Sequence, residues 1–476
     1  MSDGEEAALS RRRLLAGSGL ALGAAALAGA ARGQEAPREE APGEEPPTDP
    51  DFHEPDEATA AQVRSPPPSA EPIAPGTVDW NWVRSQWEMN WSLVDLSAML
   101  FASNPRLVRF AIDRHRKGLD ASPTTYLESR NRPLQNAARA AAGAYFGAAA
   151  DDIALVESTT SGVGLLYGGL DLRYGQEVLT TVHDYYVTHE SLRLACARRG
   201  ASLRKISLID RSEEATIAQI VGRIVANIRP ETKVLALTWV HSSTGLKMPI
   251  RAIADALAPI NAARAPHDRV LFCVDGVHGF GVENATLPRL GCDFLIAGCH
   301  KWLFGPRGTG VIIAAPGAWS RVTPTIPSFL APNAYGAWLG GYDPGPTTGA
   351  RMTPGGFKAF EHVWALTEAF QFHNMVGKQA IEARTQGLAA KLKLGLSNMP
   401  HVSLKTPMDS RLSAGIVSFD VAGMSADGVV RKLRGLNIIA SAAPYAKRHV
   451  RLTPSMRNSV EEIDFALGAI RRMGRG

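Results

Sequence analysis

Cysteine is scarce in this chain and never paired in sequence. Four occur in 476 residues, at positions 196, 273, 292 and 299. No two stand in C-x-x-C spacing, which argues against a zinc site or a disulfide framework. Three lie in apolar, strand-like surroundings, where a thiol serves as a small buried hydrophobe. A dense basic run is also missing. The net charge is +5, but Lys and Arg are scattered, so the footprint of a nucleic-acid binder is absent. No G-x-G-x-x-G follows the first expected strand, which removes the fingerprint of a dinucleotide-binding domain. What is present is globular material: hydrophobic residues make up 45% and charged residues 20%. That composition can bury a large core, and the length allows two or three domains.

The N-terminal region reads as three parts in order. Ser10-Arg11-Arg12-Arg13-Leu14-Leu15 precedes an apolar, Ala/Gly-rich stretch to about Ala30, and Ala28-Gly29-Ala30 offers small residues for cleavage. The stretch is too weakly apolar for a stable membrane span. Its order resembles a bacterial twin-arginine signal over residues 1–30. That predicts export by the twin-arginine machinery, a periplasmic or extracytoplasmic location, and no membrane span once the signal is removed. Residues 31–75 follow, rich in Pro, Glu, Asp and Ala, with Pro66-Pro67-Pro68 near the end. Low hydrophobicity and acidic bias predict a disordered linker. Aromatics then return with Trp80, Trp82, Trp87 and Trp91, so the folded part is expected to begin near residue 76.

From about residue 152, short β-branched runs alternate with amphipathic stretches. Strands are expected at 153–156, 177–181, 234–240, 270–274, 294–297 and 310–313, and helices at 217–228 and 250–260. This alternation predicts an α/β fold with a mainly parallel sheet and helices on both faces. Ligands then bind at the carboxyl ends of the strands. A long helical region at 357–394 leads to a smaller α+β piece with strands at 415–420 and 450–453 and a closing helix from 461. The expected division is a large domain over 76–355 and a long helix with a small C-terminal domain over 356–476.

Four strand ends carry reactive side chains. Asp275 follows one apolar run and Lys301 the next. Glu157-Ser158-Thr159-Thr160 opens a helix after the first strand, where hydroxyls and free amides suit a phosphate. Tyr185 follows the second strand and offers an aromatic ring. Each feature alone has a plain structural explanation: a turn-forming Asp, a surface Lys, a Ser/Thr helix cap. Together they run phosphate loop, aromatic, acid, lysine. Pyridoxal phosphate (PLP) needs that set, with a Lys amine for a Schiff base and a carboxylate to keep the pyridine nitrogen protonated.

The run from 158 to 310 resembles the class V aminotransferases of PLP fold type I, and looks closest to the isopenicillin N epimerase-like branch. The segment from Asp293 through Gly298-Cys299-His300-Lys301-Trp302 to Gly310 carries the resemblance most specifically. The resemblance implies Lys301 as the Schiff-base lysine and proton shuttle, and Asp275 as partner of the pyridine nitrogen. It implies His278 near the cofactor's phenolic oxygen and Tyr185 as the ring-stacking residue. It also assigns Ser158, Thr159 and Thr160 to the phosphate loop and His300 to a second phosphate contact. Thr353, in Met352-Thr353-Pro354-Gly355-Gly356, resembles a residue that reaches across a homodimer to the partner's phosphate. Arg451 matches the arginine that clamps a substrate carboxylate, a task suited to a planar guanidinium. Ser242 and Ser243 lie in a loop near where the family contacts cofactor or substrate.

Two departures from the cysteine desulfurases matter. Residues 437–449 contain no Cys where those enzymes carry a nucleophilic one, and Gly298 stands where they carry a Ser. The twin-arginine signal and the stretch from Thr353 to His362 resemble exported PLP enzymes that tailor siderophores of the pyoverdine type. The reading is a PLP enzyme acting on a small amine or amino acid through a Lys301 Schiff base and an α-carbanion, by transamination, epimerisation or related chemistry. A cysteine desulfurase or selenocysteine lyase, and an exported PLP-fold binding protein without catalysis, stay open as alternatives.

Overall fold

Strand β1 (Ile153–Val156), β2 (Glu177–Thr181), β3 (Ser202–Ile206), β4 (Thr232–Thr238), β5 (Leu271–Asp275), β6 (Phe294–Gly298) and β7 (Gly310–Ala314) form one sheet in a computed structural model that describes residues 78–328 and 331–474. The expected signal and linker lie outside the described residues. The strand order is β1-β7-β6-β5-β4-β2-β3. The neighbours from β6 through β3 pair in parallel, and β7 alone runs against both of its neighbours. The carboxyl ends of β1, β2, β4, β5 and β6 therefore share one edge.

Every strand except β3 is buried along its length. Helices cover both faces of such a sheet, so its strands read as continuous apolar runs. One core, around Leu155, Leu235, Val274 and Phe370, fills one face, and a second, around Val163, Leu192, Ile296 and Trp319, fills the other. Each fully buried side chain of this kind contributes roughly 1.5–3 kcal/mol. Strand β3 sits at the sheet edge and carries Arg204 and Lys205. Charge on an edge blocks further pairing and also hides the strand from an apolar-run search, which explains why it was not expected.

The C-terminal part has its own antiparallel sheet: β8 (Val402–Leu404), β9 (Val417–Val421), β10 (Ser441–Ala442) and β11 (Val450–Leu452), in the order β10-β11-β9-β8. The expected single long helical region is three helices, Phe360–Trp364, Leu366–Val376 and Lys378–Ser397, with Gly377 at φ 92° separating the last two. The segment before the first large helix also joins this layer. Val94–Asp95 pairs in parallel with Ile438–Ile439, and Ser97 bridges Thr453. Asp95 further accepts from Arg457 at 2.5 Å. All of the described residues belong to one compact unit, and no described helix is long and apolar enough to cross a membrane.

Candidate active site

The shared edge begins with β1. Ser158 caps the helix Thr159–Gly168: its Oγ accepts from Ser161 N at 3.1 Å, and Ser161 Oγ accepts from Ser158 N at 3.0 Å. That capping box commits the Ser158 hydroxyl to the helix. Thr159 Oγ1 accepts from Gly298 N at 2.8 Å and so ties the helix start to the end of β6. A Cβ at 298 would stand 3.0 Å from Thr159 Oγ1 and 3.1 Å from His300 Cε1. Glycine at 298 is thus the space in which the Thr159 hydroxyl and the His300 ring meet, which gives the departure at this position a physical reason. His300 Nδ1 is buried and has no hydrogen-bond partner among the described residues. Free first-turn amides, hydroxyls and an unsatisfied ring nitrogen at a helix N-terminus fit a phosphate group.

Asp275 ends β5 and is buried. Its Oδ1 accepts from Val277 N at 3.1 Å. Burial pushes its pKa up to about 6, against the pull of Val277 N–H and Lys301. Lys301 lies three residues beyond β6. Burial lowers its amine to about 8, with Asp275 opposing and Arg451 adding to the shift. The Lys301 main-chain carbonyl accepts from Phe304 N at 3.0 Å, while its side-chain amine has no hydrogen bond or ion pair among the described residues. A partly desolvated amine with an unengaged nitrogen, close to a buried carboxyl, fits a group needing both a nucleophile and an acidic partner.

His278 is fixed by a neighbour of the lysine. Trp302 Nε1 donates to His278 Nδ1 at 3.3 Å. An indole N–H only donates, so Nδ1 accepts and the neutral ring carries its proton on Nε2. Burial first, then Lys301 and Arg451, pulls the His278 pKa well below its ordinary value. The ring is therefore a neutral Nε2–H donor.

Asp184, which the sequence did not single out, holds two strand ends together. Its Oδ2 accepts from Thr180 Oγ1 at 3.0 Å, Thr181 N at 3.0 Å and Thr181 Oγ1 at 2.6 Å, and its Oδ1 accepts from Thr238 N at 2.6 Å. It joins the ends of β2 and β4 beside Asp275, which it pushes toward the protonated form. An acid three residues after a Thr pair at a strand end was a usable local signal; the Thr238 contact was not. Asp184→Ala strands the buried amides of Thr181 and Thr238. It is expected to cost roughly 2–6 kcal/mol in chemical denaturation of the apoprotein. A loss below about 1 kcal/mol would mean that water replaces the carboxylate.

Tyr185 stands at the start of the helix Tyr186–Arg199, its ring partly exposed and edge-on to Tyr445 at 5.7 Å. Arg451 is buried in β11 and pinned by pairing with β9 and β10. Its Nε donates to Ser441 Oγ at 3.2 Å, Nη1 to Ser242 O at 2.8 Å and Nη2 to Ala442 O at 3.1 Å. No carboxylate among the described residues pairs with it. Thr353 is the one predicted residue placed apart. Its Oγ1 accepts from Leu155 N at 3.0 Å and donates to Gly349 O at 2.8 Å, so within this chain the hydroxyl braces β1. Thr160 is exposed at the helix start.

The profile of the family described as aminotransferase class-V matches residues 122–461. The isopenicillin N epimerase of Streptomyces clavuligerus is 27% identical over 348 residues, covering 72% of this chain and 84% of that protein. A cysteine desulfurase of Klebsiella pneumoniae subsp. pneumoniae is 23% identical, covering 68% of this chain and 78% of its own length. Among solved structures, a mutant of C-DES with glycine covalently linked to the PLP cofactor has a TM-score of 0.72 at 20% identity, covering 83% of this chain and 99% of that one. The apo cysteine desulfurase of Thermococcus onnurineus NA1 has a TM-score of 0.71 at 18% identity, covering 85% and 100%. The fold is thus PLP fold type I, as the sequence predicted. Because the family match runs from before β1 to beyond Arg451, every strand end that builds the site falls within it, and the chain belongs to the PLP-dependent class V aminotransferases.

Proposed function

We propose that this enzyme binds an amino acid or a related amine with its carboxylate on Arg451 and moves a proton at the carbon bearing the nitrogen. The observation that carries the reading is the pairing of an unengaged Lys301 amine with a buried Arg451 that lacks a carboxylate partner among the described residues. PLP, when bound, supplies an electron sink for negative charge at that carbon. The chain's own residues divide the remaining work. Asp275 would keep a proton on the pyridine nitrogen of the bound cofactor, His278 Nε2–H would donate to one of its oxygens, and Tyr185 would pack against it. The free first-turn amides and the hydroxyls of Thr159 and Thr160, with His300, would hold the phosphate, while Ser158, its amide and Oγ both engaged in the capping box, shapes the turn instead of contacting the phosphate as the sequence suggested. Lys301 holds the cofactor and carries the proton to and from the substrate carbon.

Proton exchange or epimerisation is favoured over sulfur transfer. Residues 437–449 hold no Cys. All four thiols are buried and free. Burial pushes Cys196 to about 11 and the other three above their ordinary range. None is a ready thiolate nucleophile. The test is α-proton exchange. Amino acids incubated with the holoenzyme in deuterated water should incorporate deuterium at the α carbon, followed by NMR. Sulfide release from cysteine with no exchange in any amino acid would overturn this reading.

The proposal extends to assembly and location. A second copy of the chain is the arrangement that the family implies, although the Thr353 hydroxyl expected to reach the partner's phosphate is buried and engaged with Leu155 N and Gly349 O within this chain. The exposed apolar face of Tyr335, Trp338, Leu339 and Tyr342 supports such an assembly. A monomeric mass in solution light scattering would rule it out. Export by the twin-arginine route rests on Ser10-Arg11-Arg12-Arg13-Leu14-Leu15. Replacing Arg11, Arg12 and Arg13 by Lys should leave the protein in the cytoplasmic fraction; unchanged periplasmic recovery would count against it.

A further inference from the structure

The segment 437–449 reaches the candidate site through Tyr445. The phenol comes from the C-terminal layer and meets the loop after β4: Tyr445 Oη and Ser242 Oγ are 2.8 Å apart. The main-chain carbonyl of that same serine accepts from Arg451 Nη1 at 2.8 Å. Ser242 is therefore held at two atoms by the C-terminal layer. The far end of its turn is held separately, since Gly245 N donates to His241 O at 2.8 Å and Thr406 Oγ1 donates to Thr244 O at 2.6 Å. Tyr445 and Arg451 hold the near end. On its other side, the Tyr445 ring lies edge-on to Tyr185 at 5.7 Å and 61°. Tyr445 thus links the residue assigned to the cofactor's face with the loop that orients the guanidinium.

We propose that Tyr445 and Ser242 form a positioning pair that aims Arg451 at a substrate carboxylate and so selects α-amino carboxylates over amines that lack the acid group. This deepens the amine chemistry proposed for Lys301 and rests on it. A guanidinium has five N–H donors. The three bonds to Ser441, Ser242 and Ala442 leave two for a ligand, and their direction is set by the three already made. Bidentate recognition depends on that direction, and small misplacements of a positioning group are costly. The pair fixes the Ser242 carbonyl and hence one of the three anchors.

The hydroxyl bond can be removed without removing the ring. Tyr445→Phe keeps the contact on Tyr185, Ser242→Ala removes the other half, and Ser242→Thr restores a hydroxyl. The readout is the apparent Kd from the change in the holoenzyme's visible cofactor absorption. L-alanine, L-glutamate and L-phenylalanine would be titrated, each beside its α-carboxamide. Tyr445→Phe and Ser242→Ala should each weaken binding of the carboxylates by about 3- to 10-fold, the size of one hydrogen bond. The carboxamides should bind as they do to the parent protein. The double variant should match either single one, because both remove the same bond, and Ser242→Thr should recover most of the loss. Equal weakening of acids and amides, additive losses, or no change would each overturn the pair's role. A parent holoenzyme whose absorption responds to none of the amines would instead sink the Lys301 reading and the pair with it.

Discussion

Lys301→Ala should lose the visible absorption of the bound cofactor and all measurable α-proton exchange. The rate should fall by at least about 10²–10⁴-fold, the contribution of one positioned acid–base group. The argument starts from the environment of the amine. Burial brings it from 10.5 to about 8, so roughly a tenth is neutral and nucleophilic at pH 7, far more than for an ordinary lysine. Its nitrogen makes no hydrogen bond to the described residues, so the fold does not depend on it. The Lys301→Ala apoprotein should accordingly melt at or above the parent's temperature, because a desolvated cation has been removed. Lys301→Arg is the stringent control, since it keeps the charge but offers no neutral amine. The pH sign follows from the same shift: a lowered amine pKa means the reactive form is gained as pH rises through about 8. Cofactor uptake by the parent apoprotein should reach half its limiting rate there. Uptake that keeps climbing through the ordinary lysine range would contradict the buried setting of Lys301.

Asp275→Asn should retain the cofactor and lose turnover, again by about 10²–10⁴-fold. The phosphate cradle and Lys301 are untouched, so retention is expected. The amide cannot carry the negative charge that keeps a pyridine nitrogen protonated. Stability should move the other way. Burial raises the Asp275 pKa from 3.8 to about 6, so the folded apoprotein holds this proton more tightly than the unfolded chain does. The stability contributed by the protonated group is fully present below about 4 and is lost as pH rises through about 6. Two pKa units correspond to about 3 kcal/mol. Asp275→Asn should remove that loss, and denaturation of the two apoproteins on either side of this window measures it. A variant less stable than the parent above the window would show that the carboxylate is a structural anchor. The opposition of function and stability at one residue is common where a site holds a buried charge in readiness.

The reactive strand ends were legible because the central sheet is covered on both faces. Apolar runs marked β1, β4, β5, β6 and β7, the β-branched Val178, Thr180 and Thr181 marked β2, and the residues after each fell at an edge or a turn. That put Thr159, Tyr185, Asp275 and Lys301 in order along the chain. The same logic fails where burial is partial. The charged edge strand β3 has no apolar run, and the helical stretch after 357 carries a helix-like pattern straight through the break at Gly377.

Contacts between distant segments left no local trace. Nothing near residue 242 announces Tyr445, 203 positions away, or Arg451, 209 positions away. Thr238 closing on Asp184, Trp302 setting the tautomer of His278, and Thr353 spending its hydroxyl on β1 are of the same kind. Residue types and their spacing are local quantities, and they were enough for the fold class and the cofactor. Which hydroxyl meets which carbonyl depends on how two sheets pack, and packing sums weak contacts over the whole core. The role proposed for Lys301 was therefore suggested along the chain, while the selectivity proposed for Arg451 became visible only when the C-terminal sheet was laid against the edge of the first.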